Sequence, residues 1–514
     1  MTSEATLEVV DEGGHQGPLI ATKKELQAWY WFGWASEGYY ALGVAALTPL
    51  IIRGLASENG YDNNNLSQPC NITVADYSCS VKIGSSYINT DSYYFYANTI
   101  TTFIQFILFM GFGALADHGE RRKSLMLFFS TISAILGLGF LVVVKASLYW
   151  LATLFYMFGV MFFNGSYVLF YSFVPVLAKH HPQVVEAKAS NMSADEISKV
   201  EDKVTNIISG NGLAWGYAAA VINLIIGIAV LVAFAFLGTN LTLPTSTYAM
   251  QVVMAIPSIW WLCFQILPMR NLPARPGSPL PEGTNKWTYS YKKIFKTISR
   301  ARRLPVLSWF LLGWFIYSDA FNTTISVAVL FAQDVIHLAS FEILIIATII
   351  PCSAFIGIYF WLWIKSVTGL TTSKMLVLQA CLYALLPAYG LIGIFSTTIG
   401  LRNRWEAYMF GVYHGLLLGS TQSFCRSIYS EIVPPGREAE FFSLYNITDK
   451  GSAWVGPLVV AAIIQGTGIR YNSMYFLLVS FLVPIIVFAT LNIEKGKKEA
   501  LAFVESEKAE AAEH

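Results

Sequence analysis

A handful of ionisable side chains stand inside long apolar stretches of this chain, and their types and spacing are its first chemical clue. Glu37, Asp319 and Arg426 lie within three such stretches, and the neighbours Asp449 and Lys450 lie about two turns into a fourth. A charge at the centre of a hydrocarbon layer costs ~2.5–3.5 kcal/mol on insertion scales, so each needs a physical reason to be there. A buried Arg needs an anion. For Arg426 the choices are Glu37, Asp319, or the carboxylate of a bound ligand held in bidentate fashion. Glu37 or Asp319 could in turn carry a proton. Uncharged polar groups recur at helical spacing beside them. Tyr30 and Trp34 share a face with Glu37. Asn164, Tyr167 and Tyr171 line one face of a stretch of their own. Asn322, Thr323 and Ser326 continue the face of Asp319, and Gln422 lies four residues before Arg426. Asn164 and Gln422 serve equally well as glue between helices. His414 reads more readily as a packed or hydrogen-bonded residue than as a proton carrier.

The elements that must position these groups follow from composition. The chain has 514 residues, 55% hydrophobic and 13% charged. Soluble domains carry about 25% charge, so a soluble enzyme, a disordered chain and a fibrous one are all excluded. The net charge of +1 gives no basic field for nucleic acid. No phosphate-binding glycine loop, Cys/His metal spacing or nucleophile elbow occurs, so neither an enzyme nor a cofactor is expected. A helix needs about 20 apolar residues to cross ~30 Å of hydrocarbon. Twelve stretches qualify: 28–52, 93–116, 124–144, 149–177, 206–237, 246–268, 305–332, 342–364, 375–396, 406–430, 441–466 and 473–493. The expected fold is all-α, because open strand edges cannot be satisfied in lipid.

Lys and Arg positions orient the bundle. With both termini cytosolic, 25 of the 33 basic residues fall on the cytosolic face and six on the other. The acidic N-terminal tail does not resemble a signal peptide. The first outer loop, 53–92, holds two glycosylation sequons, at Asn65 and Asn71, and two close cysteines, Cys70 and Cys79. A lumenal or extracellular face would permit both sugar and a disulfide there. The expected organisation is a tail (1–27), a first six-helix half (28–268), a basic linker (269–304), a second half (305–493) and a second tail (494–514). The linker reads either as an amphipathic helix on anionic lipid or as ordinary positive-inside bias.

Two halves of six spans around a basic linker resemble the major facilitator transporters. The string from Gly113 to Lys123 is similar to the loop signature of that superfamily: Gly113, then Asp117, then the basic Arg121, Arg122 and Lys123. The resemblance implies that these residues latch the halves in one state. The counterpart near Gly357–Lys374 is degenerate, with Trp361 where the Asp should stand. In this fold spans 1, 4, 7 and 10 line the central cavity, and those are the four spans that carry the polar residues above. Gly411, Gly415 and Gly419 on span 10 make a small-residue ridge for close helix contact.

Three strings narrow the resemblance. They are Trp29–Tyr40, Gly419–Ser427 and Pro434–Tyr445. With the long first outer loop, they look like the fungal autophagy-related vacuolar effluxers, the autophagy-related protein 22 family. The resemblance implies a multi-pass vacuolar carrier, expected to be monomeric. It would export leucine and other neutral amino acids from lumen to cytosol, with protons as the coupling ion. The alternatives are a major facilitator carrier for another metabolite or peptide, or a polytopic protein that transports nothing.

Overall fold

The structure is a computed structural model that describes residues 20–63, 65–72, 78–117, 122–190, 192–236, 243–274, 286–434 and 438–512. α1 (Lys23–Gly38) starts at Thr22, whose hydroxyl accepts from the Glu25 N–H at 3.2 Å. It passes through a π-helical stretch, Tyr39–Leu47, into α2 (Thr48–Glu58). Pro49 has no N–H to donate to the preceding turn, and Thr48 Oγ1 donates to the Gly43 carbonyl at 2.8 Å. The helix therefore continues past residue 52, and Arg53 lies inside it, 4% exposed.

Four short antiparallel strands follow in the order β2-β1-β3-β4. They are β1 (Tyr61–Asp62), β2 (Asn65–Pro69), β3 (Cys79–Ile83) and β4 (Ser86–Asn89). Cys70 and Cys79 form a disulfide across this sheet, with Cα atoms 5.7 Å apart. The rest of the first half is α3 (Thr90–Asp117), α4 (Arg122–Leu138), α5 (Tyr149–Lys179), α6 (Pro182–Ala189), α7 (Ala194–Phe236), α8 (Leu243–Phe264) and α9 (Ile266–Asn271). The linker contributes α10 (Lys286–Ala301), which lies against α3 and donates from Tyr291 Oη to the Ile107 carbonyl at 2.8 Å. The second half is α11 (Pro305–Asp334), α12 (Ser340–Thr368), α13 (Thr372–Phe395), α14 (Arg404–Ile432), α15 (Glu438–Ser452), α16 (Val455–Thr467) and α17 (Ser473–Ala489). The C-terminal α18 (Ile493–Ala512) docks on this half. Ala500 and Phe503 are buried, and Glu499 accepts from the Val306 N–H at 3.0 Å.

Among the described residues nine helices are long and apolar enough to cross a membrane. The second, tenth and eleventh expected spans are α3, α14 and the pair α15–α16, which are not among the nine. The eleventh is broken between Ser452 and Val455 rather than continuous, and α7 begins at Ala194, well before residue 206. The halves meet where α3 packs on α15 and α16, and where α7 packs on α12. One apolar core runs through the first half and on to Val327, Leu330, Phe331, Ile343, Val460 and Ile464 of the second. A second core lies in the second half, around Phe310, Tyr317, Tyr383 and Tyr429, joined by Ala301 of α10 and Phe503 of α18. The halves are thus welded by apolar contact at the end that carries the sheet, here the sheet end.

Candidate transport pathway

α1, α5 and α7 build the first wall of the pathway. Trp29 stacks on Phe170, with centroids 4.3 Å apart and planes within 9°, and its Nε1 donates to the Phe170 carbonyl at 3.0 Å. α7 comes this close because residue 212 is glycine: a Cβ there would stand 2.3 Å from the Trp29 ring. Above this stack Tyr167 Oη donates to Glu37 Oε2 at 2.5 Å, and Ser36 Oγ lies 2.9 Å from the same hydroxyl. Trp29, Gly33, Glu37, Tyr167, Phe170 and Tyr171 line a recess closed on the α7 side by Gly212, Leu213 and Gly216. Tyr171 and Tyr217 are 44% and 52% exposed. Asn164 stands apart from this group and donates to Gln105 Oε1 at 3.1 Å, tying α5 to α3.

On the second wall Arg426 and Asp449 are neighbours, since both act on Cys425 and Tyr445. Arg426 is exposed rather than buried. Its charge acts on Tyr171 and Tyr217 across the cavity, and Glu37 acts on the same two tyrosines. Gln422 is partly buried one turn earlier. Asp319 is 4% exposed and accepts from the Gly456 N–H at 3.0 Å. It therefore caps the start of α16, where the broken helix leaves its first N–H groups unsatisfied. Thr323 is buried against the same glycine. Next to Asp319, the Ser318 hydroxyl donates to Asp449, so both ends of the break are fastened to α11. Asn322 donates to the Ser318 carbonyl of its own helix at 2.9 Å. His414 is fully buried behind the wall, its ring parallel to Phe410 and edge-on to Tyr383. The Gly411, Gly415 and Gly419 ridge faces α12, where a Cβ on Gly415 would stand 2.4 Å from the Ile350 carbonyl oxygen.

The sheet end holds a site that the sequence reading missed. Arg53 of α2, Asp91 of α3, Asp334 of α11 and Arg470, just before α17, form a square of alternating charge. Arg53 Nε lies 2.5 Å from Asp91 Oδ1, and Arg53 also pairs with Asp334 across the halves. Arg470 Nε lies 2.9 Å from Asp91 Oδ2 across the halves and 3.4 Å from Asp334 Oδ2 within its own. The side chains of Arg53, Asp91 and Asp334 are at most 5% exposed. Further cross-half bonds surround the square. Ser92 Oγ donates to the Ala461 carbonyl at 3.0 Å, and the Asn89 N–H donates to Gln465 Oε1 at 2.8 Å. One charge-bearing residue at the sheet end of each of four helices, two per half with opposite sign, was the available signal.

Asp117 and Gly113 lie at the end of α3, but their side chains, and Arg121 entirely, fall outside the described residues. Arg122 is 3% exposed with its guanidinium 5.4 Å from the Phe173 ring centroid, so it packs within its own half. Trp361, which replaces the second-half Asp, donates from Nε1 to the Leu416 carbonyl at 3.1 Å. Asn65 and Asn71 are exposed on the sheet and its following loop.

A helical bundle with a cavity between two halves, shut at one end by apolar contact and ion pairs, defines a membrane transporter. Solved structures agree on the fold. The chain is similar to a D-xylose–proton symporter (TM-score 0.58, 11% identity, covering 92% of this chain and 99% of that one). It is also similar to the partially occluded inward-open xylose transporter XylE from E. coli (TM-score 0.55, 11% identity, 90% and 96%). These are major facilitator carriers. The chain belongs to the family described as vacuole effluxer Atg22 like, whose model matches residues 21–501. Its relatives include autophagy-related protein 22 of Gibberella zeae, 31% identical over 94% of this chain and 82% of the relative. Autophagy-related protein 22-1 of Penicillium rubens is 30% identical over 94% and 92%.

Proposed function

We propose that this transporter exports neutral amino acids, leucine among them, from the vacuole lumen to the cytosol by alternating access. The sheet end then faces the lumen, both termini face the cytosol, and the described state is open toward the cytosol. The observation that carries the reading is the exposed Arg426 facing a cavity whose opposite wall holds Glu37. A guanidinium in that position suits a substrate carboxylate gripped through two parallel N–H bonds. Membership of the effluxer family supports the organelle and the direction.

The proton gradient of an acidic lumen points the same way as export, so symport supplies the driving force. Asp319 is the proton carrier. Its carboxylate caps α16, and protonation removes the charge that the helix N-terminus favours. Taking up a proton therefore loosens the break in the eleventh span and couples proton binding to movement of α11 against α16.

The test is counterflow and gradient-driven uptake of radiolabelled leucine in proteoliposomes of the full chain, with an amino-acid panel. Arg426→Gln should lose most leucine transport. Normal leucine transport by this variant would refute the carboxylate role. Absence of leucine flux in the wild type, with flux of another metabolite, would refute the amino-acid reading.

A further inference from the structure

The linker helix α10 belongs to neither wall of the transport pathway, yet it is the most basic segment of the chain. Between Lys286 and Arg303 the sequence carries seven basic residues and no acidic one. We propose that the outward face of α10 is a binding site for anionic phospholipid headgroups, centred on Lys292, Phe295 and Lys296.

The inner face of α10 fixes which residues point outward. Tyr291 Oη donates to the Ile107 carbonyl of α3 at 2.8 Å. Thr297 and Ala301 are buried, and Ile298 and Ala301 pack with the apolar core of the second half. The helix also lies against α15 and α11. It therefore crosses the seam between the halves, held by the first through Tyr291 and by the second through its last turn.

The outer face reads as a membrane interface. Lys292, Phe295, Lys296 and Ser299 are exposed, at the i, i+3, i+4, i+7 spacing of one helix face. Phe295 is 64% exposed. A large ring left open between two lysines suits a helix lying at the edge of a leaflet, with the ring among the acyl chains and the ammonium groups at headgroup level. The surfaces beside it agree. Phe103, Ile104 and Ile107 of α3 and Trp309 and Leu312 of α11 are exposed apolar side chains, so α10 continues a surface that suits hydrocarbon on both halves. A leaflet of anionic lipid satisfies the ring and the lysines together. Each basic side chain at such a surface strengthens anionic-lipid binding by about fivefold.

The test is site-directed quenching in proteoliposomes of the full chain, in a background with the exposed Cys263, Cys352 and Cys381 replaced by Ala. An NBD fluorophore on Ser299→Cys reads the outward face of α10. One on Val479→Cys, exposed on α17 toward the sheet end, reads the opposite leaflet. The vesicles are phosphatidylcholine with an equal share of either doxyl-labelled phosphatidylserine or doxyl-labelled phosphatidylcholine. Phosphatidylserine should quench the α10 reporter with at least about fivefold higher apparent affinity, and the two lipids should quench the α17 reporter alike. Lys292→Gln with Lys296→Gln should bring the α10 ratio near parity, and Lys292→Arg with Lys296→Arg should keep it. Phe295→Ser should weaken quenching by both lipids. Equal quenching of the α10 reporter in the wild type, a preference that survives the double Gln variant, or the same preference at the α17 reporter would overturn the proposal. Quenching by neither lipid would also overturn it, placing α10 against water or another protein. The readout does not depend on which solute is carried, so failure of the amino-acid reading leaves this proposal standing.

Discussion

Replacing Asp334 by Asn should open the sheet end. In the square, Asp334 faces Arg53 across the halves and Arg470 at 3.4 Å within its own half. Opening would part the two cross-half pairs, yet each half would keep a neutral pair, Arg53 with Asp91 and Arg470 with Asp334. The square therefore separates without leaving a lone charge in either half. A pair ~4 Å apart is worth ~4 kcal/mol at an effective dielectric of 20, and exposed pairs measure only ~0–1 kcal/mol. The closed arrangement owes its stability to that difference, reduced by desolvation. In Asp334→Asn, two guanidiniums share the single carboxylate of Asp91 in a buried site. Removing one partner of a buried pair costs ~3–5 kcal/mol. Opening relieves the crowding, so the cost falls on the closed state. At ~1.4 kcal/mol per factor of ten, ~3 kcal/mol shifts the closed-to-open ratio by about a hundredfold.

The shift can be read as accessibility. Ser326 and Gln333 line a recess beside Arg53 and Asp91 at the sheet end. A Ser326→Cys reporter, in a background with the exposed Cys263, Cys352 and Cys381 replaced by Ala, reports opening through its rate of labelling by an impermeant maleimide. Asp334→Asn should raise that rate by about tenfold to a hundredfold. Adding Arg53→Gln restores neutrality, with Asp91 and Arg470 left as a cross-half pair, and should bring the rate back toward the wild type. An unchanged rate in Asp334→Asn, or a double variant that labels faster still, would refute the square as a gate.

Two further outcomes follow from the same structure. Asn65→Gln and Asn71→Gln should each remove one glycan-sized step in gel mobility on expression in a fungal host, and neither should change leucine counterflow; no glycan at either position would place the sheet end on the cytosolic side. Asp319→Asn keeps a side chain that caps a helix but loses the titrating charge. The ratio of gradient-driven uptake to counterflow should fall toward one in this variant, and a ratio that stays at the wild-type value would exclude Asp319 as the proton carrier.

How much of this was legible in the sequence depended on where each residue sits along its helix. Glu37 stood out because a carboxylate in the middle of an apolar stretch is costly, and that argument holds whatever the fold. Arg426 stood out for the same reason, but its exposure did not, since a charge in an apolar stretch reads as buried. The square was hidden because charges at span ends are ordinary. Arg53 and Arg470 read as outer-face basic residues, and nothing in the sequence brings Arg470 to Asp91, 379 positions away. Arg53 was further disguised because its helix runs past the apolar window to Glu58. The break at Ser452–Val455 was passed over although the polar run Thr448–Ser452 before it and Gly456-Pro457 after it interrupt the hydropathy there. Without the break, Asp319 looked like a cavity group, whereas its bond to the Gly456 N–H makes it the cap of a half-helix.

The square and the cavity charges carry one last consequence, because they act on the same rocking motion from different levels. At the sheet end, opposite charges on the two halves pair with each other directly. In the cavity, Glu37 of the first half and Arg426 of the second act on the same two tyrosines, Tyr171 and Tyr217. A substrate that draws the cavity walls together competes with the square, so leucine should speed labelling of the Ser326→Cys reporter under exchange conditions. Coupling between two sites is reciprocal: the factor by which leucine shifts the gate equals the factor by which the gate shifts leucine binding. Asp334→Asn, which relaxes the gate, should therefore raise equilibrium leucine affinity by up to the ratio that leucine produces in gate opening in the wild type. A typical coupling of ~1–3 kcal/mol corresponds to about fivefold to a hundred-and-fiftyfold. The measurement pairs equilibrium leucine binding with maleimide rates on the same preparations. If leucine changes labelling but Asp334→Asn leaves leucine affinity untouched, the two levels do not share one equilibrium, and the rigid rocking of two halves is the wrong description of this carrier.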